Sequence, residues 1–365
     1  MRLLVLVDQM AVGGGGRVAS IMLRGLATQG HEILLETDVS KGFLYEVPES
    51  VKTVQVQYTP GHADLSGRIK QFIRRIKGRR NNIRNLKPDA IIAYLPLQFT
   101  DALLANIGTG IPIVVSDHTA MSRDLGRWTN FVRHHLYGLA DCATILTEKD
   151  RRYLGKRVKC KEVVYNPLTF PPIDNLGDYT ARRKNILCVG RVSSWDVKGF
   201  DRIIKIWGHI SAQYPEWTLE IAGPGSDDKI TQLMSMGRDA YCADRLKFLG
   251  NISDIKSLYL ESSIFALPSR VEGFPMALIE AMSQGCACVS FDLDGAISEI
   301  ANDREDCLIV PDNDLNTFEK RLIELLESDN LRRKLASTAI ESVGKYSEQR
   351  FAEHWQQILN KLIKK

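Results

Sequence analysis

The sequence predicts an α/β protein built from two doubly wound parallel-sheet domains, on three observations. At 365 residues the chain is longer than one hydrophobic core usually serves. It opens with a strand, a glycine-rich turn and a helix, and the same succession restarts near Asn185. Its aliphatic runs are nearly continuous rather than alternating, and several are separated by helix-length segments, as in a parallel sheet covered on both faces.

Composition narrows the class. With 44% hydrophobic and 25% charged residues the composition is that of an ordinary globular protein, and disorder is not indicated. Seven cysteines form no Cys-x-x-Cys pair and mostly lie inside apolar runs, which fits free core thiols in a reducing cytoplasm better than disulfides or zinc. The run Leu3–Val7 is too short for a signal-peptide core, and no apolar segment approaches the length of a membrane span, so a cytoplasmic location is expected. The net charge of +4 is unevenly placed: residues 1–167 hold 24 basic against 15 acidic side chains, residues 168–365 hold 24 against 29. The first half is the part expected to meet an anionic surface.

In the first half, Leu3–Val7 is followed by Gly13–Gly16, Arg17 and a helical pattern in Val18, Ile21, Met22 and Leu26. Glycines such as Gly14 and Gly15 let a backbone approach a phosphate, although a flexible loop explains the run as well. The spacing does not fit Gly-x-Gly-x-x-Gly, which argues against a dehydrogenase. Strand-like runs follow at Glu32–Thr37, Thr53–Tyr58, Ala90–Leu95, Pro112–Asp117, Cys142–Thr147 and Glu162–Asn166. Between Ser66 and Lys87 stand nine Lys or Arg and no acid, with Ile69, Phe72, Ile73, Ile76 and Ile83 at helical spacing. One face should pack while Arg74, Arg75, Arg79 and Arg80 present charge to anionic lipid or a lipid diphosphate; a solvated face is the alternative. Nucleic acid fits poorly, because no aromatic stacking platform accompanies the charges. Asp117 and His118 fall where a strand stops, the place where open α/β sheets present ligand-contacting residues.

The Pro-rich stretch Leu168–Thr180 reads as the hinge. The expected boundaries are 1–167 for the first domain, 168–183 for the linker, 184–345 for the second domain and 346–365 for a closing amphipathic helix. In the second domain, Asn185–Val192 restarts the strand–loop–helix pattern, and Gly190 and Arg191, with Lys198 and Gly199, supply two cations just beyond the strand end. These cations suit a diphosphate leaving group, and they are equally common on ordinary surfaces. Runs at Trp217–Ala222, Leu246–Leu249, Ile264–Pro268, Cys286–Phe291 and Cys307–Val310 supply further strands, and Phe318–Leu326 and Leu331–Val343 read as helices.

The stretch Ser269–Gly285 holds Glu272 and Glu280 eight positions apart, around Pro275. With Pro275 in the first turn of a helix, Glu272 precedes the helix and Glu280 lies within it. Amides at such a helix start hold anionic oxygen while carboxylates accept from hydroxyls, a combination that suits a sugar nucleotide. The spacing Arg-x-Glu-Gly-Phe-Pro-x-x-x-x-Glu-Ala-Met-x-x-Gly resembles the nucleotide-sugar signature of the family 4 retaining glycosyltransferases, which have the two-domain GT-B fold. Nearly the whole chain takes part in the resemblance, and its specific part is residues 190–285.

The resemblance implies two Rossmann-like domains facing across a cleft, with the last helix crossing back to the first. It implies that Arg191 and Lys198 hold the diphosphate, Glu280 the ribose hydroxyls, and Glu272 with the backbone after it, Gly273, Phe274, Pro275 and Met276, the hexose hydroxyls, with Ile252 beside the base. His118 would contact donor sugar and acceptor; Gly14 and Gly15 would lie at the donor, and Arg17 and Asp117 at the acceptor. Gly16 stands where the family usually has glutamate. The implied reaction moves a hexose or N-acetylhexosamine from a UDP-sugar to a glycan, similar to bacterial enzymes that extend polyprenyl-diphosphate-linked oligosaccharides at the inner face of the membrane. It needs no cofactor, and no Asp-x-Asp metal motif occurs. A GDP-mannose-dependent mannosyltransferase, a UDP-N-acetylglucosamine 2-epimerase and a non-catalytic lipid-associated scaffold are the competing readings.

Overall fold

The computed structural model describes residues 1–7, 10, 14–38, 42–54, 65–94 and 96–363; Gly13, positions 55–58 of the third expected strand, and Leu95 lie outside these. The chain divides into two units, Met1–Thr169 with Glu348–Lys365, and Phe170–Ser347. In the first, strands β1 (Arg2–Val7), β2 (Glu32–Glu36), β3 (Lys52–Val54), β4 (Ala90–Tyr94), β5 (Ile113–Ser116), β6 (Cys142–Ile145) and β7 (Lys161–Val163) form one sheet in the order β3-β2-β1-β4-β5-β6-β7. In the second, β8 (Arg183–Val189), β9 (Thr218–Ala222), β10 (Leu246–Gly250), β11 (Ser262–Leu267), β12 (Ala287–Asp292) and β13 (Leu308–Pro311) run in the order β10-β9-β8-β11-β12-β13. Every pairing is parallel. Central strands such as β4 and β11 are buried along their whole length, which is why they carry no polar alternation.

In the first unit, helix α1 (Gly14–Thr28) begins within the glycine run itself, four residues earlier than the apolar pattern from Val18 suggests. Helices α2 (Leu65–Leu86), α3 (Pro96–Asn106) and α4 (Arg127–Phe131, continued by irregular helical turns to Leu139) follow. Residues of α2, α3 and the segment after α4 contribute to one core cluster over a single face of the sheet: Ile83, Leu103, Val132 and Tyr137 meet Leu4, Ile91 and Val115. The C-terminal helix Glu348–Ile363 belongs to this unit too. It buries Phe351, Trp355, Ile358 and Leu359 and packs on α1, where Arg24 grips Glu348 through two bonds of 2.7 and 2.8 Å.

The stretch read as a hinge is fastened to the second unit from Phe170 onward. Ile173 N–H donates to Ser283 O at 3.0 Å, Gln284 Nε2 to Pro171 O at 3.0 Å, and the buried Tyr179 hydroxyl to Ser263 O at 2.5 Å. Helices α5 (Phe200–Ile210) and α6 (Met276–Ser283) flank the loop between β11 and α6, where the expected site residues lie.

Candidate functional site

The loop after β11 is held from below by a buried guanidinium. Arg202 of α5 donates to Pro268 O and Ser269 O at 3.4 and 3.3 Å, with its guanidinium 5.0 Å from the centre of the Phe291 ring. Arg270 ties the next residue down: its N–H donates to Val197 O at 2.8 Å, and its side chain pairs with both oxygens of Asp201 at 2.7 Å. Two-point arginine contacts of this kind fix orientation as well as distance. The clamped loop delivers Glu272 to Lys198: Nζ donates to Glu272 Oε1 at 2.8 Å, and Ser269 Oγ donates to the same oxygen at 2.7 Å.

Glycine makes this approach possible at two points. Gly199 has φ 68°, and a Cβ there would meet Pro268 O at 1.9 Å; at Gly223, φ 143°, a Cβ would meet Gly190 O at 1.9 Å. No side chain fits either place, so the backbones that carry Arg191, Lys198 and the Glu272 loop pack directly on one another. Arg191 itself is exposed, just beyond β8.

Pro275 stands one residue before α6 rather than within its first turn; its carbonyl accepts from Leu278 N–H at 2.9 Å, so its missing N–H costs nothing. Glu272 precedes the helix and Glu280 lies in it. They have different neighbours: Glu280 is 5% exposed and accepts from the Tyr259 hydroxyl at 3.2 Å. The Phe274 ring is buried edge-on against Tyr346, with centroids 5.5 Å apart. The Met276 N–H donates to Phe274 O at 2.8 Å, while Gly273 and Met276 are partly exposed. Ile252 is partly exposed in the turn after Gly250.

In the first unit, His118 ends a chain of polar groups behind β5. Thr144 Oγ1 donates to Ser116 Oγ at 2.7 Å, Ser116 Oγ lies 2.8 Å from His118 Nε2, and Nδ1 lies 3.0 Å from Asn166 Oδ1. A neutral ring protonated on Nδ1 satisfies every link: Nδ1–H donates to Asn166 and Nε2 accepts from Ser116. The ring also stacks on Tyr94 with centroids 4.0 Å apart. Burial lowers its pKa from 6.5 to about 4, outweighing the opposite pull of Asp117 and Asn166. Because the unfolded state takes up that proton first, His118 should cost stability as pH falls from about 6.5 towards 4 and cost nothing above. Thermal denaturation at pH 7.5 and 5 should show a smaller acid loss in His118→Gln, about 2 kcal/mol less.

Asp117, expected at the acceptor surface, points inward. It is 1% exposed and accepts from Arg133 Nε at 2.9 Å, Tyr137 OH at 2.8 Å and Thr119 N–H at 3.0 Å, so it organises the loop behind His118 rather than facing a ligand. Arg17 lies 5.4 Å from the Tyr45 ring centre and 3.5 Å from Thr169 Oγ1; Gly14 is exposed and Gly15 half-buried at the start of α1.

Helix α2 is turned relative to its sequence reading. Arg79 is 2% exposed and pairs with Glu36 at 2.6 Å and Asp101 at 3.4 Å; Arg75 pairs with Asp101 at 2.9 Å; Arg80 donates to Ile107 O at 2.8 Å. Of the four arginines expected outside, only Arg74 is exposed, together with Lys70, Lys77 and Arg84. Ile69 and Ile73, expected inside, are 52% and 45% exposed. The positions that reach the sheet are Ile76, Arg79 and Ile83; the first turns of α2 leave Ile69 and Ile73 outside the core.

Residues that sequence reasoning passed over include Ser269, Arg202, Asp201, Arg133, Ser116 and Asn166. Ser269 opens the stretch Ser269–Gly285 and Asn166 ends the run Glu162–Asn166, so their place was visible but not their bonds.

Residues 179–342 match the model of the glycosyl transferases group 1, and residues 12–169 that of glycosyltransferase family 4. The chain is 27% identical over 369 residues to the amylovoran biosynthesis glycosyltransferase AmsD of Erwinia amylovora, covering 98% of this chain and 99% of that one. It is 23% identical over 353 residues, 95% of each chain, to a Campylobacter jejuni α-1,4-N-acetyl-D-galactosaminyltransferase named for a GalNAc-GalNAc-diNAcBac-PP-undecaprenol substrate. Among solved structures, Anabaena HepE in complex with UDP and glucose superposes with a TM-score of 0.79 at 17% identity, covering 99% of both chains.

Proposed function

As a chain that belongs to the group 1 and family 4 glycosyltransferases and has their GT-B fold, it is a glycosyltransferase, and we propose that it moves a hexose or N-acetylhexosamine, with retention, from a UDP-sugar to a glycan on polyprenyl diphosphate. The observation that carries this reading is the Lys198–Glu272–Ser269 cluster, a cation and a carboxylate held together by a clamped loop beside the exposed Arg191. The full-length likeness to AmsD and to the Campylobacter transferase supports a bacterial surface glycan as product.

In the proposed reaction the bond between the sugar C1 and the β-phosphate oxygen breaks, and an acceptor hydroxyl oxygen bonds C1 on the same face. The departing phosphate oxygen takes the hydroxyl proton, so no protein nucleophile is required. Arg191 and Lys198 neutralise the charge that grows on the diphosphate, while Glu272 steers Lys198 and accepts from sugar hydroxyls. In this reading those two cations take the place of a divalent ion, and transfer should persist in EDTA.

Thermal shift against UDP-, GDP- and ADP-sugars tests the donor. UDP-sugars should raise the melting temperature of the wild type and raise it markedly less in Glu280→Ala, whose carboxylate is assigned to the ribose. A response confined to GDP-mannose would establish the mannosyltransferase alternative, and no response to any donor would remove the reading altogether.

No helix among the described residues is long and apolar enough to cross a membrane. The proposed lipid-linked acceptor instead calls for a docking face, and α2 supports one: Ile69 and Ile73 emerge beside Lys70, Arg74 and Lys77. On the same side of the sheet, α4 exposes Trp128 and Phe131, stacked at 5.7 Å, next to Arg123 and Arg127. Exposed aromatic and aliphatic groups fringed by cations suit the interface of an anionic bilayer. Vesicles containing phosphatidylglycerol should bind the protein, and Lys70→Glu with Arg74→Glu should weaken that binding by about 10- to 100-fold. Trp128→Ser with Phe131→Ser should weaken it on neutral and anionic vesicles alike; binding unchanged in both variants would refute this face.

A further inference from the structure

Cys142 and Cys160 face each other at the edge of the first sheet. β6 and β7 run parallel with Ala143 opposite Lys161 and Thr144 opposite Glu162, and the same register sets Cys142 opposite Cys160. The Ala143 N–H donates to the Cys160 carbonyl at 2.9 Å, which fixes the two backbones at this point. Their sulfurs stand 2.7 Å apart. Neighbouring strands lie about 4.8 Å apart, within the Cα separation of about 4.4–6.8 Å that a disulfide spans. The contact therefore follows from strand register and not from the reach of flexible side chains. The thiols of Cys242, Cys286, Cys288 and Cys307 are buried and turned to backbone carbonyls, a contact that Cys142 makes at 4.0 Å with Ala143 O in addition to its contact with Cys160.

We propose that Cys142 and Cys160 are a redox modification site, closing reversibly to a disulfide that staples the edge strand β7 to β6. The two thiols differ in access, since Cys142 is fully buried and Cys160 is partly open. A low-molecular-weight disulfide such as oxidised glutathione therefore meets Cys160 first. The Cys160 thiolate attacks one glutathione sulfur, the glutathione S–S bond breaks, and one glutathione leaves as thiolate and is protonated by water. Cys142 then gives its proton to water and attacks Cys160 sulfur, expelling the second glutathione. Two protein thiols are oxidised by two electrons, and one glutathione disulfide is reduced to two thiols. Burial pushes the Cys142 thiol pKa up, so the second step quickens as pH rises.

The staple acts on a functional neighbourhood. β7 is the outermost strand of the sheet, and the chain leaving it reaches Asn166, the partner of His118 Nδ1. Closing the disulfide pins that departure point, and Lys361 of the C-terminal helix, bonded to Glu162 at 2.9 Å, lies over the same edge. This inference is independent of the donor and acceptor proposed above.

The test uses the whole protein, incubated with oxidised glutathione under native conditions, alkylated, and digested without reduction. Mass spectrometry should find the Cys142 and Cys160 peptides joined and lighter by two hydrogens, titratable thiols should fall from seven to five, and the melting temperature should rise and return with dithiothreitol. Cys142→Ala should stop at a stable glutathione adduct on Cys160. A wild type that keeps all seven thiols, retains the adduct on Cys160, or links a different pair overturns the proposal. If the variant does not fold, the wild-type masses and the oxidised-against-reduced melting temperatures decide it alone.

Discussion

Replacing Lys198 with Met is expected to lower kcat for sugar transfer by about 10²- to 10³-fold, the size of effect seen when one preorganised group facing developing charge is removed. The Lys198 side chain is a quarter exposed, enough to meet a ligand, and Glu272 Oε1 at 2.8 Å holds its ammonium in place. Before a donor binds, the pair is mutually satisfied. In the proposed reaction negative charge accumulates on the β-phosphate as the C1–oxygen bond breaks, and a cation already oriented would stabilise it without the cost of reorganisation. The Met variant loses that cation and leaves Glu272 as an uncompensated carboxylate near the same phosphate, so both changes raise the barrier. Stability should hardly change, because a partly solvated ion pair contributes about 1 kcal/mol or less. The measurement is UDP release under saturating donor and acceptor, with the melting temperature as the control for folding. A Lys198→Met protein that turns over within about threefold of wild type would show that the diphosphate charge is met elsewhere, and the assignment of Lys198 would fall.

Much of the architecture was legible because parallel sheets write themselves as aliphatic runs. The run Ala90–Leu95 became β4, Cys286–Phe291 became most of β12, and Trp217–Ala222 contains β9. Local punctuation was legible too: Pro275 marks the start of α6 to within one residue. What the sequence hid were pairings with distant partners. The direction of α2 depends on Glu36 in β2 and Asp101 in α3, two buried acids that require guanidinium groups. Periodicity sees only that isoleucines recur; it does not see that the stripe reaching the sheet passes through Arg79. The same blindness applies to Asp117, whose strand-end position suggested a ligand contact while Arg133 and Tyr137, sixteen and twenty residues on, had claimed its oxygen. Within the site, the spacing of Lys198 and Glu272 gave no reason to join them. Their contact depends on the backbone approach at Gly199 and on the Arg202 clamp, both set by tertiary packing.

Arg79→Ala is expected to cost the first unit about 3–5 kcal/mol, the usual loss when one member of a buried ion pair is removed and its partner is left uncompensated in the interior. The guanidinium is 2% exposed and bridges Glu36 of β2 to Asp101 of α3, so one side chain links a strand and two helices. Burial already raises the Glu36 pKa above the ordinary carboxylate value, against the opposing pull of Arg79. Without Arg79 it should rise further. The sign of the pH dependence follows. Below the unfolded carboxylate pKa both states are protonated and the variant pays least; as pH rises, the unfolded chain releases the proton that the folded chain must keep, and stability is lost. Urea denaturation should therefore show the Arg79→Ala deficit shrinking at acidic pH relative to wild type at the same pH, while Arg74→Ala, at an exposed position on the same helix, stays within about 0.5 kcal/mol at every pH. Equal stabilities for the two variants would mean that α2 does not face the sheet through Arg79. The distinction also governs how vesicle binding is read: a charge reversal at Arg79 would abolish binding by unfolding α2, whereas reversal at Lys70 and Arg74 alters the exposed surface and leaves the buried ion pairs intact.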